Sequence, residues 1–234
     1  MKISIVVAAY EANGKGVSLL GDLFNSINSQ TYKDFEVVVS DHSIDDVIKE
    51  YCTTWEDRMS MVYIRTEKGR GNSSINMNEG IKASTGDYIK IMHMDDQFCN
   101  DNALELMASR ISEDENIKWG AFGFNHLYEP QNEIKREIIP SLYNNIGMAA
   151  SSLIGCPSVS FFINDKTNLF DEEMIIINDF DMHFRLNQKY GEPMVISDIS
   201  VTVRMHADQV TNSLSTYQEK ETEEMNYFKT KNQQ

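Results

Sequence analysis

At 234 residues, 41% of them hydrophobic, the chain can bury a core as one large domain or as two closely joined halves. Its formal net charge of −15 repels phosphate backbones and anionic membranes, which argues against nonspecific nucleic-acid binding. Its three cysteines, Cys52, Cys99 and Cys156, have no paired spacing; they suit neither a disulfide framework nor a zinc knuckle and point to a reducing compartment, the cytoplasm.

The first element, ISIVVAAY from Ile3, is continuously apolar, as expected of a parallel strand covered on both faces. It is too short for the apolar region of a signal peptide and runs straight into Glu11. The Gly- and Asn-bearing EANGKG reads as a loop, and Leu19, Leu20, Leu23, Phe24 and Ile27 then recur at helical spacing, with Ser18 placed to cap the start. FEVVVSD is a second strand, DVIKEYCTTW a helix, MSMVYIRT a third strand, EKGRGNSS a turn and INMNEGIKAST a helix. A fourth strand begins at Tyr88 in YIKIMHMDDQF. This alternation predicts a parallel α/β sheet that takes nucleotide-sized ligands at the carboxyl ends of its strands.

Beyond Asn100 the rhythm loosens. NALELMASRIS reads as a helix, WGAFGFNHLYE as a strand, Gln131 to Pro140 as charged and irregular, and GCPSVSFFI as a strand after a turn. A helix over NDFDMHFRLNQKYG ends at Gly191, and MVISDISVTVRMH is extended. The polar tail from Ser213 to Gln234 predicts a surface helix that frays. No stretch approaches the roughly eighteen apolar residues needed to span a bilayer.

Potential metal ligands and acids gather at the strand ends. Side-chain alternation in an extended chain puts His93 and Asp95 on one face and Met92, Met94 and Asp96 on the other. Two ligands at that spacing can reach one ion, although strand-end aspartates also serve simply to hydrogen-bond local backbone. After the second strand, Asp41 and Ser43 can contact a base or ribose, and Ser43 and Asp45 can equally cap the next helix.

The segments SINSQTYKDFEVVVSDHSIDD and NEGIKASTGDYIKIMHMDD together resemble family 2 glycosyltransferases of the GT-A fold. The shared features are a helix ending in Ser-x-x-x-Gln-Thr-Tyr, a strand ending in acidic residues and serine, an Asn-x-Gly-Ile helix, a Gly-Asp-Tyr turn and an Asp-x-Asp strand end. INDFDMHFRL is similar to the family's acidic catalytic-base segment, and VTVRMHADQVT to its metal-binding Arg-x-His segment. The resemblance runs over most of residues 3 to 211, strongly before Phe98 and in patches between Asn100 and Ser152.

The resemblance implies a Rossmann-like, mostly parallel sheet flanked by helices in one compact domain. Residues 1–100 form its nucleotide-sugar-binding half, 101–212 the acceptor-binding and catalytic-base half, and 213–234 a polar tail. It implies that Asp179 is the catalytic base and that Asp95 and His206, with His93, hold Mn²⁺ or Mg²⁺. The implied donor contacts are Ala9, Tyr10, Glu11, Asp41, Ser43, Arg70, Asn78, His93, Met94 and Asp96. Two positions depart from the family: His93 stands for the first Asp of Asp-x-Asp, and Asn178 for the acid before the base. Imidazole in place of carboxylate tilts preference towards Mn²⁺, and His93 can alternatively touch the diphosphate or sugar.

The implied activity is inverting, metal-dependent transfer from a nucleotide-diphosphate sugar, with UDP favoured, to an acceptor hydroxyl on a glycan, small molecule or macromolecule. Two alternatives stay open: a glycosyltransferase fold that binds nucleotide without turnover, and a sugar nucleotidyltransferase. Against the latter, AAYEANGKG lacks a Gly-rich basic loop, and no Gly-Lys-Ser/Thr of a P-loop occurs. Trp119, Phe122, Phe124, His126 and Tyr128 are either sugar-stacking or core residues.

Overall fold

The apolar runs of the first half become β1 (Ile3–Ala9), β2 (Phe35–Asp41), β3 (Met61–Arg65) and β4 (Tyr88–His93), which lie parallel in the order β3-β2-β1-β4. The computed structural model describes residues 1–129, 131–141, 154–207, 209 and 217–232. Crossovers are made by α1 (Gly16–Asn28), α2 (Val47–Thr53) and α3 (Ser73–Ala83). The helical stripe read in the sequence is the buried face of α1: Leu20, Leu23, Phe24 and Ile27. The helix starts earlier than Ser18 predicts. A 3-10 turn over Ala12–Gly14 feeds directly into Gly16, and the Glu11 carbonyl accepts both the Gly14 and Gly16 N–H groups, at 2.9 and 3.0 Å. Helix α3 lies close on β1 because Gly80 has no side chain there; a Cβ would stand 2.5 Å from Val6 Cγ1.

The second half adds β5 (Gln97–Phe98), α4 (Ala103–Glu113), β6 (Trp119–Tyr128), β7 (Glu133–Ile138), β8 (Ser160–Ile163), α5 (Asn178–Tyr190), β9 (Met194–Met205) and α6 (Tyr217–Asn232). The sheet continues from β4 through β8, β6 and β9 to β5, and β7 pairs with β6. Because β8 is antiparallel to both β4 and β6, and β9 is parallel to β6, the long strands of both halves run the same way. One core joins them, with Val6, Ile91, Phe122 and Phe161 in the same buried cluster.

Chain length forces this sheet to curl. From His93, where β4 ends, to Gln97, where β5 begins, the chain spans at most about 14 Å. A flat sheet would place β5 four interstrand spacings from β4, about 19 Å away. The β8-β6-β9 segment therefore bends round so that the end of β9 returns to the end of β4.

Three expectations change here. Gln131 to Pro140, expected to be irregular, contains strand β7, an exposed edge whose charged residues give no alternating pattern. Trp119, Phe122 and Phe124 are buried in the core and unavailable for sugar stacking, whereas His126 and Tyr128 are only partly covered. The tail does not simply fray: α6 buries Glu224 and Phe228 against the rest of the fold, and the expected helical residues 213–216 and 233–234 lie outside those described. No helix among the described residues is long and apolar enough to cross a membrane.

The amino-terminal half is fastened by Glu36, a buried carboxylate on β2. It accepts from Lys2 Nζ and Ser4 Oγ, each at 2.6 Å, and from both the backbone N–H and the hydroxyl of Thr85, at 2.6 and 2.8 Å. Burial pushes Glu36 up, but these hydrogen bonds outweigh it and hold the pKa down at about 2. Relative to an ordinary Glu near 4.3, its contribution to stability is complete above that value and is lost as pH falls towards 2. Glu36→Gln is expected to cost about 3 kcal/mol in urea unfolding at pH 7, with the gap to wild type narrowing below about pH 4.

Candidate active site

The strand order reverses between β1 and β4, so the crevice of this sheet opens at their carboxyl ends. The register places Ala9 beside Asp41 of β2 and Ala8 beside His93 of β4. Two polar clusters thus flank the end of one strand, two interstrand spacings apart, about 10 Å.

On the β4 side the chain turns immediately after His93, and the Asp96 N–H donates to the His93 carbonyl at 3.1 Å. This corrects the alternation drawn from an extended chain, because Asp96 does not fall on the opposite face. Ligand atoms of His93, Asp95 and Asp96 all lie within 4.8 Å of one another. The curl of the sheet adds His206 from the end of β9, whose Nε2 sits 2.9 Å from Asp95 Oδ2. In an octahedral shell with bonds of about 2.1 Å, adjacent ligand atoms are about 3 Å apart. His93 Nε2 is buried without a hydrogen-bond partner, as a ligand nitrogen awaiting a cation would be. The donor set therefore fits a divalent metal.

Electrostatics in this cluster pull the two aspartates apart. Burial acts to raise Asp95, but the His206 hydrogen bond and the nearby His93 hold it low. Asp96 is pushed up, first by burial and then by the charge of Asp95. Its Oδ1 accepts the Arg204 N–H at 3.0 Å, so it braces β4 against β9. The Arg204 guanidinium donates to the Asp95 carbonyl at 3.0 Å and pairs with Asp22 and Glu129, each at 2.7 Å. Below the turn, Lys90 is fully buried, donates to the Ile91 and Ser158 carbonyls and lies over the rings of Phe98 and Phe122; burial lowers its pKa to about 7. A lysine in the middle of an apolar strand was the visible signal for this group.

The SxxxQTY stretch proves to be the cradle of this turn. Ser26 Oγ accepts the Phe98 N–H at 3.1 Å, Gln30 reaches the Asn100 carbonyl at 2.7 Å and the Leu104 N–H at 3.1 Å, and Thr31 donates to Glu105 at 2.6 Å. The end of α1 thereby fixes the segment leaving Asp95 and Asp96.

On the β2 side, Asp41 is fully buried and already occupied: Oδ1 accepts the Ser43 N–H at 2.8 Å, and Oδ2 accepts from Tyr63 at 2.6 Å and Arg65 at 3.4 Å. Tyr63 and Arg65, at the end of β3, were missed because nothing in an apolar strand marks its cross-strand partner. His42 Nε2 and Ser43 Oγ are buried without partners, as is Asn76 Oδ1, and Arg70 reaches the Ser43 carbonyl at 3.3 Å. The Ala9 carbonyl is taken by the His42 N–H and the Asn76 amide, at 2.9 and 3.0 Å. Tyr10 is exposed at this edge and Glu11 partly so.

Two implied donor contacts point elsewhere. Asn78 is buried and spends its amide on the Phe170 carbonyl and N–H, at 2.9 and 2.7 Å, tying α3 to the segment before α5. The Met94 side chain packs in the hydrophobic core, since the turn directs it inward.

Asp179 stands at the start of α5, partly buried, its Oδ1 accepting the Phe180 N–H at 2.7 Å. It is close enough to His93 for the two to influence each other's ionisation. Burial pushes its pKa up to about 6. Asn178 before it donates to Ser73 and Ser74 Oγ, at 3.3 and 3.0 Å, which anchors α5 to α3. Buried Asp181 pairs with half-buried Arg185, a turn apart, at 2.7 Å.

Proteins similar to this chain in sequence include named glycosyltransferases. An uncharacterized glycosyltransferase of Rickettsia prowazekii is 24% identical over 229 residues, covering 90% of this chain and 66% of its own length. The putative colanic acid biosynthesis glycosyl transferase WcaA of Escherichia coli K12 is 22% identical, with coverages of 91% and 78%. Among solved structures, S. aureus TarS 1-349 in complex with UDP-GlcNAc superposes with a TM-score of 0.71 at 17% identity, over 97% of this chain and 66% of that one. The Pyrobaculum calidifontis mannosyltransferase PcManGT, in complex with GDP-Man and Mn²⁺, gives 0.61 at 14% identity, with coverages of 86% and 56%. The chain thus spans about two thirds or less of the length of several proteins it matches, and at these identities the superpositions establish the GT-A fold. The sequence model of the family described as Glycosyl transferase family 2 matches residues 4–163, the segment that carries both strand-end clusters, and the chain belongs to that family.

Proposed function

We propose that this chain is the catalytic domain of an inverting glycosyltransferase that moves a sugar from a nucleoside-diphosphate donor, a UDP-sugar foremost, to an acceptor hydroxyl. The observation that carries the reading is the convergence of three separate segments on one crevice: Asp95 beside His206 at 2.9 Å, with Asp179 close to His93. Residues 1–100 supply the donor side, and residues 101–212 supply the base and the acceptor side. The UDP-GlcNAc and GDP-Man bound to the structural neighbours support a nucleotide-sugar donor, and the Mn²⁺ of PcManGT supports a metal.

His93, Asp95 and His206 would hold the cation, and an imidazole in the set favours Mn²⁺ over Mg²⁺. Bound there, a divalent cation supplies neutralising charge to a diphosphate that this acidic chain would otherwise repel. His42, Ser43 and Arg70 offer unused or exposed polar groups to the nucleoside side, while Asp41 orders the Ser43 backbone. Asp96 accepts the Arg204 N–H, and the Arg204 guanidinium in turn holds the Asp95 carbonyl, which steadies the turn that carries Asp95.

Asp179 has the pKa that general-base work at neutral pH requires: ionised at pH 7, yet basic enough to accept a proton. It takes the acceptor hydroxyl proton as that oxygen bonds to the anomeric carbon. The bond from that carbon to the donor phosphate breaks on the opposite face, and the configuration inverts.

Asp179→Asn is expected to lower nucleoside-diphosphate release by about 100-fold or more, while UDP binding in Mn²⁺ stays near wild type by calorimetry. Retained turnover would reject the base. The wild-type rate should rise with pH through about 6, because the carboxyl must lose its proton before it can accept another. His206→Ala should weaken Mn²⁺-dependent UDP binding by about tenfold or more; equal affinity with and without Mn²⁺ would remove the metal.

A further inference from the structure

We propose that Glu224, on the C-terminal helix α6, is a positioning residue that sets the backbone from which Asp179 faces the crevice. This rests on the reading of Asp179 as the base.

The Glu224 carboxylate is buried and accepts three consecutive backbone N–H groups: Ile175 at 2.9 Å, Ile176 at 2.8 Å and Ile177 at 3.0 Å. Ile177 is the N-cap residue of α5, and its own side chain makes no cap bond. Glu224, from a different part of the chain, holds the N–H of Ile177 and of the two residues before it, which puts negative charge beside the positive end of the helix dipole. Such bonds to an ionised acceptor are roughly twice as strong as neutral ones.

The same stripe of α6 grips both sides of Asp179. Phe228, one turn beyond Glu224, meets the rings of Phe180 and Phe184, each with centroids 5.0 Å away. Lys231, the next turn on, pairs with Asp181 at 3.2 Å and with Asp171 at 2.7 Å. Residues before Asp179 are thus tied by Glu224 and those after it by Phe228 and Lys231. A helix needing only to dock would place an apolar residue at 224, because a buried carboxylate is costly unless its hydrogen bonds have a use.

The test compares wild type, Glu224→Gln, Glu224→Ala, Asp179→Asn and Ile111→Ala, the last a core substitution in α4 that lowers stability away from α6. Nucleoside-diphosphate release from a mixture of UDP- and GDP-sugars with Mn²⁺ gives kcat and donor KM, urea unfolding gives stability, and amide hydrogen exchange follows residues 172–181. In Glu224→Gln the side-chain NH2 faces N–H donors. That variant is expected to speed exchange at Ile175 to Ile177 and to lower kcat about tenfold or more at unchanged donor KM, with a larger loss in Glu224→Ala. Ile111→Ala should keep its kcat despite lower stability. Wild-type kcat in both Glu224 variants, or a loss that Ile111→Ala matches at equal stability, overturns the positioning role. If Asp179→Asn itself turns over normally, the base assignment falls, and the purpose given to Glu224 falls with it; loss in Asp179→Asn alone rejects only Glu224.

Discussion

The short link between β4 and β5 is the constraint on which the site depends. Met94, Asp95 and Asp96 are all that separate strands standing four places apart in the sheet, so the sheet closes on itself at this point. Closure carries Arg204 and His206, more than a hundred residues downstream, onto the two aspartates. The pairing of Asp95 with His206 is therefore a product of sheet curvature. The cradle at the end of α1 matters for the same reason: Ser26 and Gln30 hold the strand that must turn there.

Charge imposes the second constraint. Asp95, Asp96 and Asp179 gather around His93 in a chain that already carries excess negative charge, and each responds differently. Asp95 is kept ionised by His206; Asp96 is shifted towards its neutral form and spends an oxygen on the β9 backbone; Asp179 is raised to about 6 by burial. Three carboxyl groups thus differ in ionisation because their surroundings differ. In the proposed reaction the first would hold a cation and the third would accept a proton, while the second braces a strand.

Much of this was legible in sequence because it depends on local periodicity. The apolar strands, the buried stripe of α1 and the acids at strand ends are patterns within short windows. What the sequence hid depends on distant partners or on a change of direction. Alternation assigned Asp96 to the wrong face because the strand ends one residue after Met92, and nothing local distinguishes Met94 as inward-pointing. Asn78 lies in a family motif, yet its amide serves Phe170 across the fold. Helix α6 is polar almost all round, and the two residues that bury it, Glu224 and Phe228, form a stripe too narrow to read as amphipathic.

The two departures from the family pattern are of different kinds. Asn178 replaces a carboxylate, and its amide donates to two serine hydroxyls on α3, bonds a carboxylate could not donate. It relieves Asp179 of a like charge next door and still holds the helix start in place, so the substitution is structurally complete. His93 replaces a carboxylate with a ring nitrogen that is buried and unpartnered. A buried polar atom with no protein partner costs free energy, and beside Asp95 this nitrogen is placed to bond a group that enters the site. With Lys90 underneath adding a second group of basic character, this site carries less negative charge than an Asp-x-Asp turn would. A less negative site binds a bare cation more weakly and repels a diphosphate less, so under the proposed function metal and nucleotide would assemble there together, each supplying charge that the other needs.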